Sequence, residues 1–204
     1  MLRRSIILAT LVAVCAVPLT ISAQAGPYPS FQPTRVAERE YNFVIADFQG
    51  GTALMFQWRE GLASSRSQFT ADIGMADAGP DAALMLGGSF HYQLTRADDD
   101  LPFDMVLGGG MGVMLVDNAS IFQVPFGVAI GHRFPLDGAF AITPFIHPRI
   151  VLRSIDGNSD TDIDFDLGGS FEINNQMHLR LAATLGSVDA VGISFAWLPR
   201  GLRR

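Results

Sequence analysis

The sequence contains no lysine, and its only cysteine, Cys15, lies close to the N-terminus. All 14 basic residues are therefore arginine. Soluble β-sheet proteins commonly protect exposed edge strands with lysine, so its absence is unusual for a soluble β protein. A single cysteine excludes an internal disulfide. Because Cys15 lies within the predicted signal peptide described below, the mature protein would also have no thiol for catalysis. The net charge of −6 does not favour a nucleic-acid partner.

Beyond its N-terminus the chain lacks a long hydrophobic run. Hydrophobic residues make up 49% of the sequence and the mean hydropathy is +0.27, yet no later run approaches the ~20 residues of a spanning helix. Residues 1–25 are predicted to be a secretory signal peptide, because Arg3 and Arg4 precede a short apolar core and Ala23-Gln24-Ala25 matches an A-x-A cleavage site. Residues 26–40 are predicted to be an extended N-terminal segment, since their prolines disfavour regular structure.

The stretch from Asp162 to Ile173 alternates strictly between two kinds of side chain. Odd positions carry Ile, Phe, Leu, Phe and Ile, with one Gly, and even positions carry Asp, Gly, Ser and Glu. A period of two places one set on each face of a β-strand, whereas a helix would mix them. The same pattern predicts nine further strands: Tyr41–Phe48, Thr52–Glu60, Ser65–Ala76, Ala82–Arg96, Phe103–Asp117, Ser120–Phe134, Ala139–Arg153, Met177–Gly186 and Asp189–Trp197.

These segments predict an all-β, up-and-down antiparallel transmembrane barrel over residues 41–198, followed by a basic tail at residues 199–204. Ten strands satisfy the even number of single-chain outer-membrane barrels, and eight remain possible if the weak first segment lies outside the sheet and another pair of strands is merged. The apolar face is continuous enough to contact lipid, and Trp58, Tyr92 and Trp197 near strand ends suit an interfacial girdle. The alternative is a soluble, lipocalin-like barrel or sandwich.

The polar face combines many small residues with charges of both signs, which suits the interior of a narrow barrel better than a hydrated exterior. Mixed charges at this density predict a network of ion pairs inside the lumen. The residues assigned to it are Arg59, Asp72, Arg149, Asp164, Glu172 and Arg180, and the same polar face carries Arg66, Arg133 and Asp166.

The chain resembles the small bacterial outer-membrane barrels of the OmpA/OmpX type. The signal peptide, the segment from Val124 to Phe134 and the aromatic-ended strand from Val191 to Trp197 carry this resemblance. It implies a location in the bacterial outer membrane, contact with outer-membrane lipid and lipopolysaccharide, and delivery to the barrel-assembly machinery through the last strand. The tail after Trp197 departs from the family, whose members often end at Phe.

Asp156, Asn158, Asp160 and Asp162 place oxygen ligands at alternate positions and form a weak candidate site for Ca²⁺. Thr161 stands where such a loop needs Gly, and Leu167 stands where it needs Glu, so a polar surface loop is favoured and no metal or cofactor is predicted. His91, His132, His147 and His178 lack the spacing of a zinc motif.

Some small outer-membrane barrels modify lipid A, and His147 with Arg149, or His91 with Ser89, could be placed together for such chemistry. No nucleophile motif supports this, so the protein is not expected to be an enzyme. The expected role is structural, adhesive or in small-solute interaction. A narrow, porin-like channel is the alternative, and a soluble secreted barrel is the third possibility. The sequence does not indicate an oligomeric state.

Overall fold

The computed structural model describes residues 29–48, 51–62, 66–78, 81–97, 101–116 and 119–199. The predicted signal peptide, and the predicted tail apart from Pro199, lie outside these residues. No helix in the described part of the chain is both long enough and apolar enough to span a membrane.

The described residues form ten long strands and one two-residue strand. They are β1 (Arg39–Phe48), β2 (Gly51–Gly61), β3 (Ser67–Ala78), β4 (Asp81–Thr95), β5 (Asp104–Val116), β6 (Ala119–Gly131), β7 (Phe134–Pro135), β8 (Ala141–Ile155), β9 (Asn158–Glu172), β10 (Met177–Leu185) and β11 (Ala190–Trp197). Each long strand is antiparallel to its sequence neighbour, and β6 pairs with β8 across the short β7.

The first and last strands close the sheet into a barrel. Tyr41 of β1 lies opposite Trp197 of β11, and the ladder continues to Phe48 opposite Ala190. Closure pairs the backbone groups that a sheet edge would leave exposed to hydrocarbon, where each would cost several kcal/mol. The predicted ten-stranded, up-and-down transmembrane barrel is therefore confirmed. The weak first segment belongs to it, and β1 begins two residues earlier, at Arg39.

Alternation along each strand separates the two faces of the wall. In β9, the side chain of Phe165 is 49% exposed, whereas Asp166 next to it is fully buried. The outward face of the barrel is apolar on every long strand, and its exposed residues include Phe43, Leu86, Phe126 and Ile193. An outward apolar band around a polar interior is the arrangement of a transmembrane barrel.

The two ends of the barrel differ in the length of their connections. The end at which β1 begins and β11 finishes is called here the terminal end. It holds the connections 62–66, 96–103, 132–140 and 173–176, three of which are longer than any at the opposite end. At the opposite end, consecutive strands are separated only by residues 49–50, 79–80, 117–118, 156–157 and 186–189.

The aromatic residues predicted for a girdle all lie towards the terminal end. Trp58 and Trp197 both pair with Tyr41 in the strand register, and the Tyr41 and Trp197 rings stack with centroids 5.6 Å apart. Tyr92 lies towards the same end of β4, opposite the first residue of β3. Their side chains are exposed on the outside of the wall, as an interfacial position requires.

Candidate functional site

The candidate site is the lumen, which is divided into an apolar half and a polar half. In the half towards the opposite end, Met55, Met85 and Met114 pack with small residues such as Ala53 and Ala83. Met85 lies opposite Gly74 on one side and Met114 on the other, so the missing side chain at Gly74 leaves room for its neighbours. Flexible thioethers fill irregular space of this kind well.

The half towards the terminal end contains the N-terminal segment of the chain itself. Residues 29–38, named here the luminal segment, lie inside the barrel, and Ser30, Phe31, Gln32, Thr34, Val36 and Ala37 are buried. The segment begins beside β8 and β9, where Ser30 contacts His147, and it ends at the mouth, where Gly61 N donates to Glu38 O at 2.7 Å. The chain then reverses direction and enters β1.

Side chains of the barrel wall hold the backbone of the luminal segment. Arg59 Nη2 donates to Phe31 O at 3.1 Å, and Gln93 Nε2 donates to Thr34 O at 2.9 Å. Gln93 Oε1 also accepts a hydrogen bond from Val36 N at 2.9 Å. A buried segment without strand pairing needs such partners, because unpaired backbone groups in a dry interior are costly.

The Phe31 side chain anchors the luminal segment. It is fully buried and packs with Val44, Ala46 and Ala182 in the apolar part of the lumen. A Cβ atom on Gly192 would lie 2.8 Å from the Phe31 ring, so the glycine makes space for it. The backbone φ of Phe31 is +45°, which is a conformation that bulky residues rarely adopt.

Glu40 is the centre of the first buried charge cluster. Arg180 donates to both of its carboxylate oxygens at 2.7 Å, and Arg59 Nη1 donates at 2.9 Å. All three side chains are almost completely buried. A bidentate arginine and a second guanidinium on one carboxylate form strong, directional, charge-assisted hydrogen bonds.

Asp166 is the centre of the second cluster. Arg149 approaches it at 3.1 Å, Thr184 Oγ1 donates to it at 2.6 Å, and His147 Nδ1 lies 3.3 Å from its Oδ2. Ser30 Oγ lies 2.5 Å from the same Nδ1 atom of His147. Both polar neighbours therefore meet one ring nitrogen, which differs from a catalytic triad, in which the nucleophile and the acid contact opposite nitrogens.

The structure places all six residues of the predicted lumen network inside the barrel, but most of them pair with other residues. Within the set, Arg149 lies 3.8 Å from Asp164, whose main hydrogen bonds go to Ser187 at 2.9 Å. Glu172 takes two hydrogen bonds of 2.7 Å from Arg133. These bonds raise the pKa of the Arg133 guanidinium, which lies outside the strands.

Asp166 shares the even positions of its stretch with Asp164, and this alternation placed it on the same polar face. Glu40 is the charged member of these two clusters that the sequence did not assign to the lumen. Glu40 was assigned to the extended segment before the barrel. Continuing the first strand two residues towards the N-terminus places Glu40 on the same face as Asn42, and both are buried.

The cavities beside the described luminal segment include two of about 30 Å³ each. The first is lined by His91, Asp72 and three glycines of β5, and the second by His178 and Phe145, among others. A water molecule needs roughly 10–15 Å³ on this measure, so each cavity holds about two. Gly108, Gly109 and Gly110 of β5 therefore border a space with the size of a few water molecules.

The four residues of the candidate Ca²⁺ site lie in the hairpin between β8 and β9. The strands continue through the predicted loop to a two-residue turn, where Asp156 and Gly157 have φ values of +49° and +86°, as in a type I′ turn. Asp162 pairs with Arg153 at 2.9 Å. The described residues include no group of three or more His, Cys, Asp or Glu side chains that could hold a metal ion.

Comparisons with known proteins give structural similarity without sequence similarity. No family model matches the sequence, and no curated protein matches it significantly. A designed transmembrane β-barrel matches with a TM-score of 0.42 and 8% identity, over 80% of this chain and 96% of that one. The β domain of the Bordetella autotransporter BrkA matches with a TM-score of 0.46 and 10% identity, over 79% and 99%.

The architecture of the chain itself defines its class. A closed, ten-stranded antiparallel barrel with an apolar exterior and a polar, charged interior is an outer-membrane-type β-barrel. The resemblance to small outer-membrane barrels that the sequence suggested is confirmed at the level of the fold.

Proposed function

We propose that this protein is a non-enzymatic structural barrel of the bacterial outer membrane, closed by its own N-terminal segment. One observation carries the proposal: residues 29–38 occupy the polar half of the lumen and are held there by hydrogen bonds from the wall. An open pore would need that space for water and solutes.

The dimensions of the interior support a closed barrel over a solute channel. Beside the luminal segment, the cavities of about 30 Å³ accommodate water but not a solute. In the other half of the lumen, the buried cluster around Met55, Met85 and Met114 forms a second, apolar barrier. Hydrophobic constrictions of this kind impede ions because they exclude water.

The short connections support a structural role over adhesion. The even strand number puts both chain termini at one end of the barrel, which we place on the periplasmic side. The longer connections then lie on that side, which reverses the usual arrangement of short periplasmic turns and longer extracellular loops. In this orientation, the outward end of the barrel has the two- to four-residue connections between strands. Connections of this length offer little surface for recognising a receptor.

The exterior of the barrel supports the proposed partners. The apolar band provides the surface for outer-membrane lipid and for the acyl chains of lipopolysaccharide. The last strand, β11, alternates exposed Val191, Ile193, Phe195 and Trp197 with inward residues. It is the strand that we expect the barrel-assembly machinery to recognise.

Conductance in planar lipid bilayers tests this proposal. The wild-type protein should insert without producing conductance steps. A matched variant, Phe31→Asp, places a charge in the apolar pocket of the luminal segment and should weaken the closure. Regular conductance steps from the wild type would contradict the proposal and establish the channel. Solubility of the native protein without detergent would instead support a soluble barrel.

A further inference from the structure

We propose that the lumen is a binding site for an extended peptide, which residues 29–38 occupy in cis. The same site accepts an extended segment of a second polypeptide that presents one aromatic side chain at the position of Phe31. This inference rests on the same placement of residues 29–38 as the proposed function, but its test measures peptide binding and not conductance.

The main observation is that the wall recognises the backbone of the segment more than its side chains. Arg59 binds the carbonyl of Phe31, and Gln93 binds both the carbonyl of Thr34 and the amide of Val36. Every polypeptide offers these groups, so these contacts tolerate changes in sequence. Gln93 and Arg59 are themselves buried, which means that the wall presents preformed polar groups to a dry interior.

The second observation is a single deep pocket for a large side chain. Phe31 is 0% exposed, and the missing side chain of Gly192 makes room for its ring. Its φ of +45° is unfavourable for phenylalanine, so the pocket holds the residue against its backbone preference. Proteins recognise extended peptides by combining backbone contacts, which accept varied peptide sequences, with a pocket that selects one side chain.

The third observation concerns polarity at the mouth. Arg35 forms an ion pair with Asp104 at 2.8 Å, and its side chain is partly exposed. The interaction lies at the terminal end, where β5 begins. A cation four residues after the aromatic anchor is therefore a second feature of the peptide that this site would favour.

A peptide added in trans must compete with the tethered segment. A short tether gives its own segment an effective concentration in the millimolar range. Replacing Phe31 in the chain by alanine removes the anchor from the tethered copy and leaves the wall unchanged. Loss of one buried phenylalanine corresponds to roughly a 10- to 100-fold loss of affinity.

The experiment uses the full chain refolded in detergent and a fluorescent peptide with the sequence of residues 29–38. Fluorescence anisotropy should show binding to the Phe31→Ala protein at least about tenfold tighter than to the wild type. A control peptide with alanine at the position of Phe31 should bind that same protein roughly 10- to 100-fold more weakly than the native peptide.

A second measurement applies if the Phe31→Ala protein does not refold. In the wild type, excess native peptide should accelerate hydrogen exchange at the Val36 amide, because displacement of the segment breaks its bond to Gln93. The alanine peptide should not have this effect. Equal binding of both peptides, or no binding to the Phe31→Ala protein, would overturn the proposal. So would a Val36 exchange rate that the native peptide leaves unchanged.

Discussion

Replacing Glu40 by glutamine should destabilise the barrel strongly. In the native protein, this carboxylate neutralises Arg180, which donates two hydrogen bonds of 2.7 Å, and Arg59, which donates one of 2.9 Å. Glutamine has nearly the same shape but no charge. Two guanidinium groups, each at most 2% exposed, would therefore lose this carboxylate as their ion-pair partner.

The expected magnitude follows from this burial. Removing one partner of a buried ion pair generally costs about 3–5 kcal/mol, because the other charge stays buried without compensation. Arg59 also holds Phe31 O, so the loss should extend to the luminal segment. We expect a decrease of about 3–5 kcal/mol in the free energy of unfolding, measured by urea denaturation of the refolded protein in detergent.

Glu60→Gln provides a matched control on the same pair of strands. Glu60 pairs with Arg39 at 2.6 Å, and these side chains are 24% and 32% exposed. Because water already solvates this pair, its removal should destabilise the protein much less. Equal losses for Glu40→Gln and Glu60→Gln would refute the reasoning, since burial would then not determine the cost.

Two further predictions concern the outside of the barrel and its assembly. Phe165→Arg on the lipid-facing side of β9 should lower the free energy of unfolding by ~2–4 kcal/mol, measured by urea denaturation of protein folded in lipid vesicles. Asn158→Arg, at the exposed start of the same strand, should be nearly neutral. Equal costs for the two variants would contradict the assigned membrane band. The double variant Phe195→Asp, Trp197→Asp should fail to assemble and be degraded, as immunoblots of outer-membrane fractions would show, and normal outer-membrane levels would exclude β11 as the assembly signal.

Alternation along the strands made the barrel and its facing predictable. In β9, Phe165 and Asp166 differ in exposure as their parity requires, and the side chains of Arg59, Arg149 and Arg180 are buried on the inner face. The pairing partners were less predictable. The alternation of a strand shows which of its side chains point into the barrel. It does not show which charge lies across the lumen from another, because that depends on the stagger between strands.

The luminal segment was not predictable in its position. Residues 29–38 have no periodic pattern, and their prolines correctly indicated an extended chain without regular structure. Nothing local distinguishes an extended segment in water from one inside a barrel, because its buried contacts come from residues such as Gln93 and Gly192, far along the sequence. The hairpin turn at Asp156 and Gly157 was not predicted for a different reason. The strand ends on both sides of it are polar, and a polar sequence of this kind resembles a surface loop.

The enclosed segment has a consequence for the order of folding. The ladder between β1 and β11 joins the parts of the barrel that are most distant in sequence, and such pairings are expected to form late. Residues 29–38 are continuous with β1 and lie within the ring that this ladder completes. If the segment is in place before the seam forms, the barrel closes around it. A segment left outside would have to thread back through the mouth of a finished barrel.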